Sequence, residues 1–68
     1  MRRYFVFLNN KQVDSAGRYG DGVSAFSRQD AFKVLREAKA FYRGKNARWM
    51  QGDRIEATTA NGRKRIAP

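Results

Sequence analysis

The hydrophobic positions of this chain change period along its length. Residues 3–8 read Arg-Tyr-Phe-Val-Phe-Leu and end at Asn9-Asn10. That run predicts a strand and then a tight turn, because asparagine tolerates left-handed backbone. A weaker second strand is expected over 12–16, where only Val13 is clearly apolar. Gly17-Arg-Tyr-Gly-Asp-Gly22 is a loop by composition, and Val23–Phe26 reads as a short strand or an extended lead-in.

The spacing then becomes helical. Ala31, Val34, Leu35, Ala38, Phe41 and Tyr42 share about one third of a helix circumference, which predicts an amphipathic helix over 28–43. Ser27 is the N-cap candidate, Asp30 holds the capping-box position, and Phe26 can staple back onto the first turn. Gly44 stands where a C-cap glycine belongs. Trp49 follows in a connector, and its large apolar ring is expected in the core. Residues 54–59 alternate, with Ile55, Ala57 and Thr59 on one side; Asn61-Gly62 signals a hairpin, and 63–67 returns as the last strand.

The expected fold class is α+β. A small antiparallel sheet of about four strands, ββαββ along the chain, carries a single amphipathic helix on one face. Residues 1–68 read as one small domain. The pattern leaves strand order open.

One helix covers only one sheet face. In the first strand Tyr4, Val6 and Leu8 point one way, and Arg3, Phe5 and Phe7 the other. If the aliphatic set meets the helix, Phe5 and Phe7 are presented with Arg3. These rings are then core, a homodimer seam through the uncovered face, a surface covered by a terminal segment, or a platform for stacking bases.

Charge narrows the partner. Fifteen Lys+Arg against six Asp+Glu leave +9 on 68 residues. Self-repulsion of that size points to a polyanion or an acidic protein surface. Residues 27–48 hold seven cations against two anions. On the helix, Lys33, Arg36, Lys39 and Arg43 are segregated from Asp30 and Glu37, whereas a solvated face normally mixes the signs. Arg54, Arg63, Lys64 and Arg65 form a basic hairpin. In the glycine loop, Arg18 and Tyr19 offer a phosphate contact and a stacking ring.

Catalytic equipment is sparse. The chain has no Cys and no His, which removes thiolate chemistry and nearly every zinc site. No catalytic residue, cofactor or metal is expected. Asp53 and Glu56 read as strand-surface charges beside Arg54, not as a dyad. The glycines do not follow the dinucleotide fingerprint. Tyr4-Phe5-Val6-Phe7-Leu8-Asn9 departs from the first-strand motif of RNA-recognition modules: its Asn stands one place late, no second aromatic motif follows, and one helix cannot complete a βαββαβ fold. No run approaches the roughly 20 apolar residues of a membrane span, so no membrane partner is expected. The apolar stretch after the basic start is too short for a secretory signal. The expected location is cytoplasmic, in the host cell if the chain is phage-encoded.

The expected function is that of a small, non-catalytic nucleic-acid-binding protein, with DNA slightly ahead of RNA. The helix face and hairpin would contact mainly phosphate, with weak sequence preference. Neutralising about five phosphates of a duplex would give a log K against log salt slope near −4 to −5. The alternative is an inhibitor or adaptor of the type phages and mobile elements encode. Its basic face would dock on an acidic surface of a host polymerase, nuclease or defence complex, anchored by Phe5, Phe7 or Trp49.

Overall fold

The computed structural model describes residues 2–67. Strands β1 (Tyr4–Leu8) and β2 (Lys11–Val13) precede helix α1 (Arg28–Arg43), and β3 (Arg54–Thr59) and β4 (Gly62–Ala67) follow it. The four strands form one antiparallel sheet in the order β2-β1-β3-β4. The α+β class and the single helix are as the sequence pattern requires.

Asn9 and Asn10 make the β1–β2 turn with φ of 51° and 67°, the left-handed pair that a two-residue hairpin needs. The second strand is shorter than expected. At Asp14 the side chain captures the backbone N–H groups of Ala16 and Arg18, and this local turn ends the ladder. Residues 24–25 take over the pairing: the Tyr4 N–H donates to Ala25 and the Tyr4 carbonyl accepts from Ser24. The buried Ser24 hydroxyl closes the gap, accepting from the Val6 N–H at 2.9 Å and donating to the Val13 carbonyl. Val23–Phe26 is therefore the extended lead-in, joined to β1 by a single bridge.

Ser27 caps α1, its hydroxyl accepting from the Asp30 N–H at 3.1 Å, and Gly44 ends it with φ 99°. Asp30 and Arg43 each lie at the end that the helix dipole favours. The β3–β4 turn runs through Ala60 and Asn61 and closes on Gly62 at φ 109°, a conformation that suits glycine.

Tyr4, Val6, Leu8, Val13, Ile55 and Ala57 meet Ala31, Leu35 and Ala38 in the core. The aliphatic face of β1 is thus the covered one. Small helix residues let the backbone approach, and they shift the contact line away from Phe41. That ring, expected in the buried arc, is 78% exposed. Phe26 also stays exposed and does not bury as a staple.

Candidate nucleic-acid interface

The uncovered sheet face is built by alternation and register. Phe5 and Phe7 are half-buried on the side of β1 away from the helix. Phe7 stands across from Arg54, Phe5 across from Glu56, Glu56 across from Arg65, and Thr58 across from Arg63. The Arg54 guanidinium carbon lies 4.1 Å from the Phe7 ring centroid, and that of Arg63 lies 3.9 Å from the Phe5 centroid. Each phenyl ring therefore carries a cation on its face.

Glu56 stands between the two stacks. It accepts from Arg54 Nε at 2.7 Å, and its other oxygen is 3.7 Å from Arg63. Arg54 is held further by Asn10 Oδ1 at 2.8 Å and the Gly52 carbonyl at 3.3 Å. Three of its N–H groups are thus directed at acceptors within the protein. A side chain at 52 would be blocked, because a Cβ there would lie 2.6 Å from the Asn10 backbone nitrogen. The order of Arg54 depends on that close approach of turn and connector. Arg54 is consequently a fixed plane more than a free phosphate ligand.

Two of the four helix cations expected at the interface take inward roles, which corrects the expected basic face. Lys39 is only 7% exposed; its ammonium donates to the Ala47 carbonyl at 2.6 Å and lies 4.5 Å from the Trp49 ring centroid. Arg43 forms a bidentate pair with Asp53 at 2.6 and 2.8 Å. Trp49 is not in the core: it is 46% exposed and lies against Lys39. Asp53, expected on the strand surface, is fully buried. Besides Arg43 it accepts from the backbone N–H groups of Asn9 and Met50. Burial raises its pKa, but the Arg43 bonds and those two N–H groups outweigh burial and hold it at about 2. The same contact raises Arg43 above its ordinary value.

The remaining expected residues do not share one surface. Lys33 and Arg36 are exposed on the outward side of the helix, away from the open sheet face. Lys64 pairs in register with Ala57, whose side chain belongs to the covered face. Arg18 and Tyr19 lie in a tied loop: Asp14 binds the Arg18 N–H, which lowers the Asp14 pKa, and Tyr19 stacks on Tyr42 at 4.4 Å. Phe5, Phe7, Arg54, Arg63 and Arg65 are the expected residues that come together.

Glu56 and Asn10 were not among the expected site residues. The signal for Glu56 was its place between Arg54 and Thr58 on one face of an alternating strand. Asn10 could not be found this way, since its contact with Arg54 spans 44 residues of chain. Among the described residues, no helix is long and apolar enough to cross a membrane. Comparison with protein-family models, curated proteins and solved structures gave no match.

Proposed function

We propose that the protein binds nucleic acid without catalysis and receives a single strand across the open sheet face. The observation that carries this reading is the pair of guanidiniums lying over Phe5 and Phe7. Bases stack on aromatic rings and on arginine planes alike, and such stacking needs bases freed from a duplex. Arg3 lies on the same face for phosphate, opposite Thr58, Arg65 borders it opposite Glu56, and the net charge of +9 draws the polyanion in. DNA is placed slightly ahead of RNA.

Because Lys39 and Arg43 are engaged internally, fewer phosphates are neutralised than the cation count suggests. Titration of nuclease-treated protein with labelled single-stranded DNA, duplex DNA and RNA at several salt concentrations tests the reading. Single strands should bind more tightly than duplex. With three or four phosphates neutralised, the log K against log salt slope should be about −2 to −3. No binding at low salt, or a slope near zero, would reject it. An acidic protein surface would then become the partner to seek, and the exposed Trp49 and Met50 favour that second reading.

A further inference from the structure

An open groove of about 530 Å³ borders the Arg54 plane. Asn9, Asn10, Gln51 and Gly52 line one part of it, and Arg54, Glu56 and Arg65 the rest. The volume lies within the roughly 300–1,000 Å³ of small-molecule sites. Its chemistry is that of hydrogen-bonding edges. Amides donate and accept, guanidiniums only donate, and the ionised carboxylate only accepts.

The occupant follows from what is fixed. Arg54 cannot swing to follow a phosphate, because Glu56, Asn10, the Gly52 carbonyl and the Phe7 ring all hold it. A phosphate near the centre of the face would also meet the Glu56 carboxylate. A flat, neutral ring stacked on Arg54 meets no such repulsion, and its edge extends toward Glu56. Asn10 Oδ1 and Glu56 Oε2 both accept from Arg54, so Glu56 Oε1, which Arg63 approaches only to 3.7 Å, is the acceptor to be matched. A carboxylate pairs with an exocyclic amino group such as cytosine N4; thymine and uracil put a carbonyl in that place.

Resting on the sheet-face reading above, we infer that this groove is a nucleobase site for an amino-bearing base, cytosine foremost, with Glu56 accepting the exocyclic N–H. The face then selects bases instead of tracking phosphate alone.

Competition between oligo(dC) and oligo(dT) of equal length, at neutral pH, tests this in the wild type and in Glu56→Gln. The wild type should prefer oligo(dC) by about tenfold, and Glu56→Gln should bind both within about twofold, since an amide can turn either its oxygen or its nitrogen to the base. Equal affinities in the wild type, or a preference that survives Glu56→Gln, would overturn the base site while leaving the sheet-face reading intact. Binding of neither oligomer would overturn both. If Glu56→Gln fails to fold, the wild-type ratio still decides.

Discussion

Arg43 and Arg54 stand at the two ends of the same connector, and each is held by an acid on β3 or just before it. Arg43 meets Asp53 in the interior, where the carboxylate is fully buried and two further N–H groups converge on it. Arg54 meets Glu56 on an open face and lies over an aromatic ring. The first pair fastens the helix end to the β1–β2 turn and the connector. The second arranges a surface. Two arginine–acid contacts of similar length therefore differ in what their loss removes: folding in one case, recognition in the other.

The largest effect that would break this comparison lies at the buried pair. Asp53→Asn leaves Arg43 without its anion, and removing one partner of a buried pair costs about 3–5 kcal/mol. A domain of this size holds only roughly 3–10 kcal/mol in total. Urea unfolding should show Asp53→Asn largely or wholly unfolded. A cost under about 1 kcal/mol would place the pair with ordinary surface ion pairs.

The same pair sets an acid limit. The Asp53 pKa lies below its ordinary value of 3.8, at about 2. Its contribution is therefore complete above pH 4 and is lost as pH falls toward 2, a linkage of about 2 kcal/mol. The urea midpoint of the wild type should fall over that window, and a midpoint that stays level would remove Asp53 from the acid limit.

The next effect concerns binding. Arg54→Ala with Arg63→Ala removes both planes from the open face and should weaken single-strand binding by more than about tenfold, at 1–3 kcal/mol per stacked base. Lys33→Glu with Arg36→Glu reverses two charges on the far side of the molecule. Screening over about 8 Å at physiological salt should limit that loss to a few-fold. Titration of both double variants against one labelled single strand measures the contrast. Equal losses would return the helix face to the interface.

Periodicity was enough to read most of the fold. Ser27, the 31–35–38 stripe and Gly44 define the helix locally, and the Asn9-Asn10 pair defines a turn within two residues. The end of β2 was harder to read, since Asp14 diverts the backbone by a side-chain bond that competes with the ladder. The open-face pairing of Phe5 and Phe7 with arginines was legible once the aliphatic face was assigned to the helix. The fates of Lys39 and Arg43 were not. A helical wheel places both opposite the apolar arc, but it has no record of a connector that folds back to offer the Ala47 carbonyl, the Trp49 ring and the Asp53 carboxylate. Long-range chain return, not helix amphipathicity, decided which cations became structural.

Lys39 gives the smallest and sharpest version of that distinction. Lys39→Met keeps the length of the stem but removes the bond to Ala47 and the cation beside Trp49. Those contacts are worth about 1 kcal/mol net, and relief of a buried ammonium offsets part of the loss. In a domain of this size the melting temperature should fall by about 4–8 °C or less. Ligand affinity and its salt slope should stay at the wild-type values, although the net charge drops by one. Arg63→Met also lowers the charge by one, but it should weaken binding because its guanidinium covers Phe5 on the open face. Equal reduction of the salt slope by both substitutions would mean that Lys39 reaches phosphate, and that the connector opens when ligand binds.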